Sequence, residues 1–392
     1  MDKLLSATAA AQRLGVTRQT LYAYVSRGLL VAFPGPDPRE RRYARDAVEA
    51  LAHQRRRGRK PKEIAKATID WGLPVLESGL TLIEQGRLYY RGQDAVGLAA
   101  AHSVEAVAAL LWQMPERDAF PSGDSDPAPR RESVILGRDD SGWLLSRFAA
   151  AGDDDQTADW QSDPGRIAAG CGALVRTLVA CLLGTSPSRW PISEQCAWVW
   201  GLDPTGADLI RSALILCADH ELNASCFTAR CIASTGASLR ATLIGGLAAL
   251  TGPRHGGTTI RVEALFRNLE GYSDHTVVLH RMLDSGAEIP GFGHPLYPDG
   301  DVRARLILDR LGSRFPQANA ISDAVFDLTG RRASLDFALV ALRRGLGLPE
   351  GAALGLFAAG RAVGWIAHAL EQRALGQLIR PRARYVGPRP AT

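Results

Sequence analysis

Four side chains stand where carbonyl chemistry could be done. His220 lies in "ADHELNAS", His255 in "TGPRHGG", His294 in "PGFGHPLYPDGDVRAR" and Asp336 in "RRASLDFALVAL". Each sits beside a glycine turn or at the end of an apolar helical pattern. Any one alone reads as a core histidine or a helix-capping aspartate. Together they offer neutral imidazoles as hydrogen-bond donors and a carboxylate as a base. Glycine lets a ligand approach the backbone, and a helix N-terminus keeps a nearby imidazole uncharged. A metal centre is the competing reading, and the spacing disfavours it. No two histidines are paired at i, i+4, and neither CxxC nor HExxH occurs. A Gly-rich phosphate loop after a strand and a GxSxG elbow are missing too.

The segments that must position these groups are helical in pattern. Apolar residues recur at helical spacing over 95–112, 168–183, 205–222, 234–250 and 353–375. Residues 77–92 ("ESGLTLIEQGRLYYRG") read as a strand hairpin. Two polar, turn-rich stretches, 113–134 and 153–165, read as surface loops. The body is therefore expected to be mainly α. With 392 residues the chain can bury a large core. No run of 18 consecutive apolar residues occurs, so no membrane span is expected and a cytoplasmic location is. The six cysteines form no CxxC pair, and they read as buried thiols of a reducing compartment.

The net charge of +5 conceals an asymmetry. Residues 1–60 carry a net +8, and the rest is slightly acidic. That basic head reads as a helix over 7–14, a turn at Leu14-Gly15-Val16, and a second helix capped by Thr17. Ala10, Leu14, Val16, Leu21 and Val25 would be buried. Arg18, Gln19 and Tyr22 would face outward, where a recognition helix reads DNA. Arg41 and Arg42 lie in a basic turn before Tyr43, and Arg45 or Asp46 would open a third helix. The head resembles the helix-turn-helix and wing of MerR-type DNA-binding domains. DNA is a candidate partner, and a role confined to protein docking is the alternative. The basic run 53–66 reads as a linker.

The remainder resembles the citrate synthase family. "ADHELNASCFTARCIASTGASLRATLIGGLAALTGPRHGG" is similar to the family's HELN…GPxHGG region. "PGFGHPLYPDGDVRAR" is similar to its GFGHxxY…DPRA segment, and "LDFALVAL" to the region of its catalytic aspartate. "GRLYYRGQDAVGLAAAHSVEAVAALLW" and "GLFAAGRAVGWIAHALEQRALGQLIRPRARYVG" resemble its N-terminal and C-terminal segments. The resemblance implies an all-α citrate synthase fold behind a small helix-turn-helix domain (1–60). The catalytic domain would span 71–392. Its large domain would comprise about 71–260 and 350–392, and its small domain about 261–349, which would close over the substrates.

The resemblance also implies a condensation of acetyl-CoA with oxaloacetate, both as substrates, with no cofactor and no metal. Asp336 would be the base, and His255 and His294 would polarise the two carbonyls. Arg303, Arg361 and His220 would hold the oxoacid. Arg380 would reach the site of a second subunit in a homodimer. The chain departs from the family pattern at Thr258-Thr259, where Ala-Asn is usual, and at Pro295 and Pro298, where basic residues are usual. Ser334 stands where an asparagine is usual. Two other readings remain: a 2-methylcitrate synthase that uses propionyl-CoA, and a DNA-binding regulator whose body senses a metabolite.

Overall fold

The computed structural model describes residues 4–14, 16–26, 30–35, 41–45, 47–49, 51, 76–121, 128–129, 142–152 and 155–390. They fall into two compact units that divide between Glu77 and Ser78. The linker expected over 53–66 lies outside the described residues.

In the first unit, β1 (Leu4–Ser6), β2 (Ala32–Pro34) and β3 (Arg41–Ala44) form an antiparallel sheet in the order β1-β3-β2. Helices α1 (Ala7–Leu14) and α2 (Arg18–Ser26) have the expected bounds. Thr17 caps α2, its Oγ1 accepting from the Thr20 amide at 3.2 Å. After β3, Arg45, residues 47–49 and Leu51 are helical. The core joins Leu5, Ala10, Leu14, Leu21, Tyr43 and Val48, with Val16 and Val25 partly buried against it. Tyr43, which follows the two arginines, is a core residue, and the basic turn expected at Arg41 and Arg42 is strand β3. Strand β1 went unforeseen, because three residues are too few to show alternation.

The second unit starts with a small sheet, β4 (Thr81–Glu84), β5 (Arg87–Tyr90) and β6 (Gln93–Asp94). The chain continues as α3 (Ala95–Ala101), α4 (Val104–Trp112), α5 (Glu116–Ala119), α6 (Trp143–Ala150), α7 (Pro164–Leu183), α8 (Ile192–Trp200) and α9 (Pro204–Cys217). Then come α10 (Ala224–Ala233), α11 (Leu239–Leu250), α12 (Thr258–Leu269), α13 (Thr276–Asp284), α14 (Val302–Leu311), α15 (Pro316–Thr329), α16 (Leu335–Gly345) and α17 (Ala352–Leu375).

Three expected helices are shorter or divided. The pattern over 95–112 breaks at His102-Ser103, both extended, and Ser103 caps α4. The pattern over 205–222 stops at Cys217, so His220 lies in the turn beyond the helix. The pattern over 234–250 begins with a turn, and Ser238 caps α11. Ser103 and Ser238 accept backbone amides and start new helices inside apolar runs, whereas at the end of α9 the Tyr90 hydroxyl donates to the Ile215 oxygen at 3.0 Å and accepts from the Asp219 amide at 3.3 Å.

Helix α17 is the axis of the unit. It packs against α9, α10, α11, α7, α4 and α16. Close approach requires glycine at two places. A Cβ on Gly360 would lie 2.5 Å from the Leu214 oxygen, and one on Gly364 would lie 2.3 Å from the Ala218 oxygen. The C-terminal end of α9 therefore rests directly on α17, one turn from Arg361. Helices α7 and α17 are long and apolar enough to cross a membrane. Both are core helices here, with 72% and 94% of their most apolar windows buried.

Candidate active site

Backbone pairing brings His294 and Asp336 together. Gly291 and Gly293 have φ of 87° and 78°, which favour glycine. Between them Phe292 bridges to Ala333. The Gly293 amide donates to the Arg332 oxygen at 2.8 Å, and the Ser334 amide to the Gly291 oxygen at 2.8 Å. The "GFGH" loop is thus stitched to the residues that open α16, whose first turn carries Asp336. Asp301 adds a second tie. It caps α14, accepts from the Leu335 amide at 3.1 Å, and binds Arg303 Nε and Nη2 at 2.9 and 2.8 Å. Both Asp301 and Arg303 are buried. A buried guanidinium needs such a partner. Two of its nitrogens are engaged by Asp301.

His220 meets this group from the turn after α9. Its ring lies edge-on to His294 at 5.1 Å, and its Nε2 is 3.0 Å from the Tyr297 hydroxyl. Tyr297 also packs against His294 at 5.2 Å and lies under the Arg303 guanidinium at 5.2 Å. Tyr297 was not foreseen as a site residue, although the tyrosine of GFGHxxY was the available signal. The Leu296 amide donates to His294 Nδ1 at 3.2 Å. The ring proton of neutral His294 therefore sits on Nε2.

His255 lies in a turn folded on itself. Its amide and that of Gly257 both donate to the Gly252 oxygen, at 3.0 and 3.1 Å. A Cβ on Gly256 would lie 2.6 Å from the Leu250 oxygen, and one on Gly257 would lie 2.8 Å from Pro253 Cα. The two glycines are thus required by packing of the turn itself. His255 Nε2 is 2.8 Å from Ser225 Oγ. Its ring stands edge-on to Phe357 at 6.0 Å, and Phe357 lies under Arg361 at 4.8 Å. Arg361 is buried, and its Nε donates to the Cys217 oxygen at 2.8 Å.

Electrostatics tune the cluster for neutral imidazoles. Burial, then the charge of Arg361, pushes His255 down to about 4. Burial and Arg303 push His294 down to about 4. His220 is held well below the usual range by burial and by both arginines. Burial raises Asp336 to about 6 despite Arg303, so its carboxylate is a stronger base than an exposed aspartate.

Arg380 is not brought to this cluster. It is exposed beyond α17, where the Ile379 amide donates to Ser234 Oγ at 3.1 Å. Ser234 ends α10 and Ser225 begins it, about 14 Å apart at 1.5 Å per residue. In the first unit, Arg18 and Tyr22 are exposed on α2 and hydrogen-bond to each other at 3.2 Å. Arg41 is exposed and Arg42 half-buried on β3. The charges of Arg41 and Arg18 both act on Tyr43. The Gln19 side chain lies outside the described residues.

Among the described residues, Asp219, Cys226 and His368 bring ligand-type atoms within 4.8 Å of one another. The chemistry around them suits an ion-paired network better than a cation. Arg230 Nη1 stands 3.4 Å from His368 Nδ1, and a guanidinium can only donate there. A metal on Nε2 would need a doubly deprotonated ring beside that positive charge.

A citrate synthase C-terminal domain model matches residues 143–382, and a helix-turn-helix domain model matches residues 4–56. The chain belongs to the citrate synthase family. The citrate synthase of Haloferax volcanii is 29% identical over 362 residues, covering 81% of this chain and 94% of its own. A putative citrate synthase 2 of Mycobacterium tuberculosis is 38% identical over 204 residues, 49% of this chain. The chain spans only 55% of the length of that relative. A 2-methylcitrate synthase of Shewanella oneidensis is 33% identical over 187 residues, 45% of this chain and 50% of its own. The citrate synthase of Thermotoga maritima superposes with a TM-score of 0.67 at 24% identity, covering 82% of this chain and 96% of that one. The Thermoplasma acidophilum enzyme, solved as a ternary complex with carboxymethyl coenzyme A and oxaloacetate, superposes at 0.66 with 23% identity, covering 82% and 96%. The fold is the all-α citrate synthase fold, preceded by a helix-turn-helix domain.

Proposed function

We propose that the chain condenses acetyl-CoA with oxaloacetate to give citrate and CoA. The observation that carries this reading is one buried cluster holding a raised carboxylate, three neutral imidazoles and two guanidiniums. Asp336 removes a proton from the acetyl methyl. His255 donates to the thioester oxygen as negative charge develops there. The enol carbon attacks the keto carbon of oxaloacetate, and His294 Nε2–H supplies the proton for the forming alkoxide. Arg303 and Arg361 bind the carboxylates, with His220 beside them. Water then cleaves the citryl thioester and releases CoA. Proton abstraction from so weak a carbon acid depends on donors preset at the oxyanion. A groove of about 420 Å³ lined by Leu283, Ile289, Phe292, Val325 and Arg331 adjoins the GFGH loop and offers room for a longer substrate tail. Closure of about 261–349 over the remainder would exclude water.

One methylene in an apolar pocket is worth about 1–3 kcal/mol. The propionyl-CoA reaction of a 2-methylcitrate synthase is therefore the near alternative. Thiol release with oxaloacetate is expected to be faster with acetyl-CoA. A preference for propionyl-CoA would reassign the product to 2-methylcitrate, and silence with both would reject the synthase reading.

The exposed Arg18, Tyr22 and Arg41 favour a second function for the head, binding of duplex DNA. Deleting residues 1–60 is expected to abolish a gel shift on the DNA upstream of the protein's own coding sequence and to leave turnover within about twofold. Turnover lost with the body still folded would make the head part of the enzyme. Weak binding without sequence preference would reject the regulator.

A further inference from the structure

The loop that carries His294 is built from two successive proline turns. In the first, the Tyr297 amide donates to the His294 oxygen at 2.9 Å, and Pro295 is the second residue of the turn. In the other, the Gly300 amide donates to the Tyr297 oxygen at 3.0 Å, and Pro298 holds the same place. Proline presets the backbone angle that this place requires. Gly300 has a φ of 111°, which favours glycine. Tyr297 closes the first turn and opens the next, so its backbone is held from both sides. The first turn also fixes His294, because the Leu296 amide within it donates to Nδ1 at 3.2 Å.

The Tyr297 side chain is buried. Its ring packs against His294 and lies under the Arg303 guanidinium, at 5.2 Å in both cases. Its hydroxyl meets His220 Nε2 at 3.0 Å, across 77 residues of chain. Among the described residues, neither the hydroxyl nor the His220 ring has another hydrogen-bond partner. One proton lies between the two atoms. Burial pushes the phenol up to about 12, so it stays protonated at neutral pH. Burial and the charges of Arg303 and Arg361 hold His220 well below the usual range, so its ring is neutral and carries a single proton. With that proton on Nε2, Nδ1 would be a bare lone pair, which repels the oxygens of an oxoacid. With the phenol as donor, the ring proton lies on Nδ1. A phenol is a better donor than a neutral imidazole N–H, and an imidazole nitrogen is a better acceptor than a phenol oxygen. The second arrangement is therefore the stronger bond.

We propose that Tyr297 is a positioning residue for His220: its hydroxyl donates to Nε2 and makes Nδ1–H the donor that His220 offers the oxoacid. Tyr297 needs no contact with substrate for this. The proline turns supply the rigidity. They leave the two neighbouring imidazoles in opposite tautomers, His294 with its proton on Nε2 and His220 with its proton on Nδ1. The role rests on the condensation proposed above, and its test has an arm that needs no substrate.

The test uses the full chain with ¹⁵N-labelled histidine, the His220 signals being assigned by their loss in His220→Gln. The unsubstituted chain is expected to show His220 protonated at Nδ1 and bare at Nε2. Tyr297→Phe keeps the ring against His294 and under Arg303 and removes only the hydroxyl. It is expected to move the His220 signals away from that tautomer, while His294, still held by the Leu296 amide, keeps its own. Oxaloacetate should bind about tenfold more weakly by calorimetry, and in turnover the loss should fall on KM for oxaloacetate, with kcat within about threefold. A proton on Nε2 of His220 in the unsubstituted chain would overturn the proposal, and that result does not depend on how the variant folds. Unmoved His220 signals in a folded Tyr297→Phe protein would overturn it too, as would unchanged oxaloacetate affinity. Equal displacement of the His294 signals would replace it with a general packing role for Tyr297. An unsubstituted chain that binds no oxaloacetate would reject the condensation, while the nitrogen signals would still decide the role of Tyr297.

Discussion

Asp336→Asn is expected to lower turnover by about 10²–10⁴-fold while oxaloacetate affinity stays within a few-fold. The amide keeps the shape of the side chain and removes its basicity. Oxaloacetate would be held by Arg303, Arg361, His220 and His294, none of which the change touches. Binding by calorimetry and CoA release by thiol titration separate the two effects. Equal losses in both would place Asp336 in binding instead of proton transfer.

The same carboxylate sets a pH dependence. Asp336 is raised to about 6, so the base is ionised above that pH and protonated below it. Turnover should fall as pH drops through about 6. His255 and His294, both near 4, stay neutral across that range and do not mask the step. Stability should run the other way. A carboxyl group whose pKa is raised by folding destabilises the folded state once it ionises. The cost is complete above about 6 and absent below the unfolded value near 4. Asp336→Asn should therefore stabilise the protein at pH 7, on the order of 1–3 kcal/mol, with the difference vanishing in acid. Denaturant melts at pH 7 and pH 4 measure it. A less stable variant at pH 7 would show that the carboxylate makes compensating contacts.

The candidate residues were legible in the sequence because they stand in short ordered motifs. "HELN", "GPRHGG", "GFGHPLY" and "LDFALVAL" carry residue type and local backbone together, and the fold sets His220 against His294 and Arg303 against Asp301. What escaped was the partnering behind them. Only the fold shows Ser225 against a histidine thirty positions away. Tyr297 could be placed but not assigned, since its contact with His220 crosses 77 residues. Helix ends failed for a local reason. Ser103 and Ser238 interrupt apolar runs that hydrophobic periodicity alone extends, because caps are read from single polar residues and periodicity from windows. The packing that requires Gly256 and Gly257 is visible only when a Cβ is set against the Leu250 oxygen and Pro253.

Mixing two crippled proteins should restore activity if Arg380 acts across a dimer. In its own chain Arg380 follows Ile379, which is pinned to Ser234 at the far end of α10 from Ser225. An arginine side chain does not span the roughly 14 Å between those ends. Its exposed guanidinium is free to enter a neighbouring site. Arg380→Ala should then weaken oxaloacetate binding, and Asp336→Asn should abolish proton transfer. In a two-fold dimer built from one of each, the subunit that keeps Asp336 receives the intact arginine from the other subunit. Random exchange makes half of the dimers hybrid with one working site each, so about a quarter of the sites should recover. The readout is CoA release after subunit exchange, with exchange confirmed by mass on a tagged partner. Recovery near that fraction fits an arginine shared between subunits. With exchange confirmed, no recovery would assign Arg380 to its own subunit or to no site.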